Sequence, residues 1–221
     1  MKNSAFNISK TSILFVALAT AFVLSTLVTP YPLSWAVKLL PMLLLIGIAI
    51  QRLGFSHDNK YFILGLIGSA CGDFILDFNR EHWFIFGLAA FFIAHLFYLI
   101  SLKPEVKKLW QVNYLMVFFV YLGYGLLMLL VLIGSLEDML VPVTAYMSIL
   151  LLMALATVLS YKTNSWLILG GISFVFSDSL LGIDKFYTPI EYGHFFVMIS
   201  YYFAQFALLK GFIIKSQASH P

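Results

Sequence analysis

Apolar runs, each of about 20 residues and joined by short polar breaks, leave this chain no route to a water-soluble core. They fall at 13–29, 33–50, 61–78, 83–101, 113–134, 140–161, 166–182 and 190–212, with breaks such as Pro30/Pro32, Lys103 to Lys108 and Asp184 to Pro189 between them. Of the 221 residues, 62% are hydrophobic and 10% charged, and the mean hydropathy is +0.96. No globular interior of this size encloses so much apolar material, so the solvent is lipid. Inside lipid each backbone polar group must find its partner within the protein, which favours helices. The expected fold class is therefore all-α: a polytopic membrane helical bundle of about eight transmembrane helices, forming a single integral membrane domain over residues 1–221.

The basic residues lie unevenly across the joints. Lys2, Lys10, Arg52, Lys60, Lys103, Lys107, Lys108, Lys162, Lys210 and Lys215 fall on one side of an eight-span topology, and Arg80 and Lys185 on the other. Because cytoplasmic loops retain Lys and Arg, this places both termini in the cytoplasm. The short loops favour a bacterial inner membrane. A net charge of +3 with scattered bases gives no footprint for nucleic acid. The run Ile13 to Val28 is followed by Thr29, Pro30, Tyr31 and Pro32 rather than a small-x-small cleavage site, and is read as a retained first helix. Cys71 is the single cysteine, so neither a disulfide framework nor a thiol metal site is available.

Function is sought among the ionisable residues inside the spans: Lys38, Asp73, Asp77, His95, Asp178, Glu191 and His194. A charge at the bilayer centre costs about 2.5 to 3.5 kcal/mol on the most lenient scale, so such groups face a wet cavity or a partner. Asp73 and Asp178 each lie roughly 18 Å along their spans from the cytoplasmic side, a matched depth that no helix end explains. Lys38 and His194 enter from the outer side and reach toward the same zone. Asp77 and Glu191 stand near helix ends and read as interfacial. His95 lies nearer the cytoplasmic half, and a single intramembrane histidine usually bonds between helices. His194, Tyr201 and Gln205 share one face of the last span, and Tyr146 lies about 9 Å into the sixth. These four are candidate cavity walls.

Gly65-x7-Asp73-x2-Leu76 aligns with Gly170-x7-Asp178-x2-Leu181. A parallel four-plus-four duplication would produce this, as would chance in a chain so rich in Gly and Leu. No H-E-x-x-H, Walker loop, G-x-G-x-x-G or G-x-S-x-G elbow occurs, which removes the usual support for metalloprotease, nucleotide-driven and α/β-hydrolase chemistry. Two other readings stay open at this point. One is a metal-assisted lipid hydrolase ligated by His95, His194 and aspartates; the other is a small-solute or lipid carrier.

Gly72-Asp73-x2-Leu76 is followed by Phe84-x2-Gly87-Leu88-x2-Phe91-x3-His95-x2-Tyr98. Later come Gly170-Gly171-x2-Phe174-x2-Ser177-Asp178-x-Leu180 and Tyr201-Tyr202-x-Ala204-Gln205. This ordered set, with the Lys38 helix, resembles the YhhN-like lysoplasmalogenase family of eight-span membrane proteins. The resemblance implies hydrolysis of the vinyl ether bond of lysoplasmalogens, giving a fatty aldehyde and a glycerophospho head group. It implies a lysophospholipid substrate drawn from the lipid bilayer; no cofactor is expected and no residue is assigned to a metal. The family's essential acidic residues map to Asp73 and Asp178. Vinyl ether cleavage needs a proton delivered to an alkene carbon and then water at an oxocarbenium-like centre, for which paired carboxylates are suited. In this reading Lys38 sets charge or binds phosphate, and Tyr146, His194, Tyr201 and Gln205 line the pocket.

Overall fold

The computed structural model describes residues 10–28, 30–57, 59–78 and 82–219. Lys2 and Arg80, which entered the charge distribution, lie outside them. Among the described residues eight helices are long and apolar enough to cross a membrane. They are α1 (Lys10–Ser25), α2 (Ser34–Leu53), α3 (Lys60–Phe78), α4 (Phe84–Leu102), α5 (Val112–Leu132), α6 (Leu140–Leu159), α7 (Ser165–Gly182) and α8 (Gly193–Ser219). The one β-type contact among those residues is an isolated bridge between Pro104 and Ser160. Side chains such as Ile13, Val16, Leu126 and Leu130 are exposed around the bundle, the surface a lipid solvent requires.

Two borders differ from expectation. The last span was expected to stop at 212, but α8 runs to Ser219. Lys215, expected in the aqueous margin, is buried, and its ammonium donates to the Leu102 carbonyl and, at 2.7 Å, to Ser160 Oγ. It thereby satisfies a carbonyl left open at the end of α4, so its charge does not end the helix. The joint expected from Asp184 to Pro189 begins as a π-helical turn, Ile183–Tyr187, continuing α7.

Helix α3 packs along α4, and α7 along α8, more extensively than any other pairs. The aligned glycines mark both seams. A methyl at Gly65 would stand 2.5 Å from the Tyr98 ring, and one at Gly170 would stand 2.9 Å from the backbone nitrogen of Leu208. Absence of a side chain lets each helix pair approach closely. Each aspartate lies two turns further along its helix from these contacts.

Helix α8 is the central post: most of its length is buried, and it also packs on α1 and α2. Phe62 of α3 stacks on Phe212 of α8 at 4.2 Å between ring centroids, closing the core at the end of the bundle that carries Lys215. The opposite end is less filled, and it is there that the ionisable side chains meet.

Candidate active site

Helix α2 delivers Lys38 to Asp73 of α3. The ammonium lies 3.4 Å from Oδ1, and the two residues are 5% and 2% exposed. Pro41 interrupts α2 a turn beyond Lys38, removing one backbone donor and loosening that stretch. Tyr202 of α8 braces it by donating to the Lys38 carbonyl at 2.8 Å. Tyr201, the next residue, donates its hydroxyl to Asp73 Oδ2 at 2.6 Å. Both oxygens of Asp73 are therefore engaged, one by a cation and one by a phenol. That is the pairing a buried carboxylate requires.

The second half of the chain also has an aspartate held from a neighbouring helix, by a different partner. Its second helix, α6, carries Tyr146, and its third, α7, carries Asp178; the tyrosine hydroxyl donates to Asp178 Oδ2. Among the described residues no basic side chain forms an ion pair with Asp178, and Oδ1 takes no protein hydrogen bond. Asp178 is half-buried, open to an internal cavity of about 180 Å³. That cavity is lined by Asp73, Asp178, Lys38, Tyr146, His194 and Tyr201. Apolar side chains, among them Leu88, Phe91 and Met198, complete its walls.

Gln205, read from the sequence as a wall residue, does not reach this space. It is fully buried and accepts from Tyr98 Oη at 2.7 Å. One turn past Tyr201 on α8, it belongs to the layer beneath, where Ser69 is also buried. His95 is fully buried too. Its Nδ1 is 2.7 Å from the Phe91 carbonyl, which can only accept, so the proton lies on Nδ1. Its ring packs edge-on against Phe174 at 4.6 Å and Tyr146 at 5.5 Å between centroids. His95 thus supports the tyrosine that holds Asp178 rather than lining the cavity. Among the described residues no three His, Cys, Asp or Glu side chains are grouped to hold a metal ion. The ligand set of the metal-assisted reading, His95 with His194 and the aspartates, is not brought together. Glu191 is exposed, and Asp77 accepts a hydrogen bond from Ser34, as suits residues near helix ends.

The match to the YhhN family spans residues 33–212, from the residue before α2 deep into α8, and takes in every residue of this cavity. The chain belongs to the YhhN family. Among curated relatives, human lysoplasmalogenase TMEM86B is 32% identical over 181 residues, covering 78% of this chain and 74% of that protein. The lysoplasmalogenase of Mycobacterium bovis is 27% identical over 176 residues, covering 77% and 67% respectively. Human lysoplasmalogenase TMEM86A is 28% identical over 186 residues, 80% of this chain and 77% of that protein. No solved structure matches.

For this YhhN-family protein, the cavity also has a rim that sequence reasoning passed over. Asp184 and Lys185, on the π-helical turn after α7, line its mouth. Lys185 is exposed and lies 5.4 Å over the Phe84 ring. A signal for it existed in the charge distribution. Lys185 is one of two bases on the end otherwise stripped of them, an exception to the rule that sorts Lys and Arg.

Proposed function

We propose that this protein is a lysoplasmalogenase, hydrolysing the vinyl ether bond of a lysoplasmalogen to a fatty aldehyde and a glycerophospho head group. Its similarity to the human and mycobacterial lysoplasmalogenases supports the reaction class. The observation that carries the mechanism is the inequality of two aspartates on one cavity: Asp73 has an ammonium and a phenol on its two oxygens, while Asp178 has one phenol and an oxygen without a protein partner. A saturated, ion-paired carboxylate serves as a fixed negative charge. A carboxyl with one open oxygen, facing the reaction space and lacking a cation, serves as the proton donor.

In the proposed sequence Asp178 gives its proton to the alkenyl carbon one removed from the ether oxygen. The double-bond electrons form the new C–H bond, and positive charge spreads over the adjacent carbon and oxygen. Asp73, preorganised by Lys38 and Tyr201, stabilises that charge without having to reorient. Water then adds to the cationic carbon and its proton returns to Asp178, now a carboxylate and able to act as base. The resulting hemiacetal breaks its bond to the glycerol oxygen; the hemiacetal hydroxyl proton passes to that oxygen, and aldehyde and head group separate. Water is consumed and both carboxyls end as they began.

Lys185 at the rim is suited to the phosphate of the head group, since Lys38 is already committed to Asp73. In the proposed orientation both termini face the cytoplasm of a bacterial inner membrane, and the mouth with Lys185 faces the opposite side. The deciding experiment follows aldehyde release from lysoplasmenylethanolamine by purified protein in detergent, beside Asp178→Asn checked for folding by its elution profile. Release by the wild type and a loss of at least about a hundredfold in the variant is expected, the scale of a general acid's contribution. A folded Asp178→Asn protein of full activity overturns the mechanism, and a folded wild type that cleaves no lysoplasmalogen overturns the function.

A further inference from the structure

The cavity holding the two aspartates is too small for a whole lysolipid, and its mouth, with Asp184, Lys185 and His194, is polar. A long hydrocarbon chain gains nothing at that mouth and finds no room for its length in the chamber. Behind Tyr146 and Asp178 lies a second space of about 60 Å³, sharing those two residues with the first and walled by apolar side chains including Met128, Val143 and Leu150. Tyr124 of α5 and Val175 of α7 close its far side. The same two residues form the inner wall of a third space, a groove of about 790 Å³ between α5 and α7, lined further out by Val120, Ile172 and Phe176. The three spaces stand in series, sharing walls from the chamber that holds the aspartates to a flank of the bundle that the bilayer covers.

The packing explains why the series opens where it does. Only 11% of the α5 span is buried, against 72% of α8, and α5 makes its main helix contacts with α6 rather than α7. Among the described residues a hydrogen bond from Tyr124 bridges α5 and α7 at this level. Tyr124 Oη donates to Ser179 Oγ at 2.6 Å, and Ser179 in turn donates to the Val175 carbonyl at 2.6 Å. The half-buried Tyr124 ring, held by that bond, stands with Val175 in the wall between the second space and the groove.

We propose that the alkenyl chain of the substrate lies along this passage, from Asp178 past Tyr124 into the bilayer between α5 and α7, and that the aldehyde leaves by the same route. The proposal rests on the lysoplasmalogenase reading. It follows from the amphiphile's own polarity: the phosphate fits the polar mouth, the vinyl ether lies at the aspartates, and this passage is an apolar continuation that shares walls with Asp178. Chain burial, rather than head-group contact, then sets selectivity for chain length.

The test is the ratio of aldehyde release from a hexadecenyl and a hexenyl lysoplasmenylethanolamine, measured for wild type and for Val175→Phe, which narrows the wall shared by the two apolar spaces. Denying even two methylenes their apolar surroundings costs about tenfold in binding, so the long-to-short ratio is expected to fall by about tenfold or more. Equal loss on both chains, or an unchanged ratio, overturns the passage. A wild type inactive on both chains overturns the functional reading instead, so the two failures are separable. A second measurement needs no variant: an uncleavable alkyl-ether analogue with a diazirine at the chain end is photolysed with wild-type protein in bilayer discs. Label that excess unmodified analogue competes away is expected in α5 and α7; competed label on other helices, or none, overturns the proposal.

Discussion

Lys38 and Asp73 form an ion pair at 3.4 Å that is all but sealed from its surroundings, while the corresponding aspartate of the second half, Asp178, is held by Tyr146 alone. The same position in two similar helix pairs thus carries a fixed charge in one case and an open carboxyl in the other. In the proposed mechanism this asymmetry separates the cost of holding charge from the work of moving a proton.

Removing one member of a buried pair leaves the other uncompensated. Asp73→Asn is therefore expected to lose about 3 kcal/mol of stability, and Lys38→Met with Asp73→Asn together to recover most of it, because an absent pair costs less than half a pair. Activity is expected to stay low in both, since the negative charge opposite the developing cation is gone. Chemical unfolding in detergent beside aldehyde release checks this. A double variant no more stable than Asp73→Asn contradicts the reading of Lys38 as the counter-charge.

Tyr146→Phe tests the second aspartate more gently. In the proposed mechanism Asp178 gives up its proton, and the hydrogen bond from Tyr146 then passes from a neutral to a charged acceptor and strengthens, so its loss weighs on the transition state more than on the bound substrate. With a bond to a charged group worth about 1.5 to 3 kcal/mol, kcat is expected to fall roughly ten- to a hundredfold with KM little changed. A rise in KM with kcat intact places Tyr146 in substrate binding instead.

The fold and the placing of the candidate site are partly legible in the sequence, for reasons particular residues make plain. Asp73 and Asp178 stood out because lipid tolerates no idle charge, and their depth followed from counting residues along a helix. What the string of letters lacks is helix rotation and neighbour choice. Gln205 shares a face with Tyr201, but four residues along a helix is also about 6 Å of depth, enough to move it to the layer of Tyr98. Lys215 read as a membrane margin because its acceptors, the Leu102 carbonyl and Ser160, come from distant helices. The groove beside Tyr124 left no trace, since residues that line an apolar passage and residues that face lipid have the same composition.

At the mouth, Lys185→Gln is expected to raise KM for a lysoplasmalogen about three- to fivefold and to leave kcat nearly unchanged, the modest value of an exposed charge contact. The difference between wild type and variant should shrink as salt is raised, because an interaction in water is screened over about 10 Å at 0.1 M. Initial rates across a substrate series at two salt concentrations check both. A salt-independent difference places the lysine's contribution in packing over Phe84 rather than in its charge.

Below the cavity, Tyr98 and Gln205 share a hydrogen bond of 2.7 Å with both residues fully buried. Tyr98→Phe leaves the Gln205 carbonyl without its donor, and Gln205→Leu leaves the Tyr98 hydroxyl without its acceptor. Each variant is expected to cost about 1 to 3 kcal/mol. Replacing both removes the two polar groups together, so the double variant is expected to be about 1 kcal/mol more stable than the sum of the single losses predicts. Because neither residue lines the reaction space, the rate of the folded fraction is expected to stay within about twofold of wild type, the small change typical of a site away from the chemistry. Unfolding of the four proteins measures the coupling, and rates normalised to folded protein separate the two roles. Additive losses remove the pair's energetic link, whereas a large fall in rate draws Tyr98 and Gln205 into the chemistry above them.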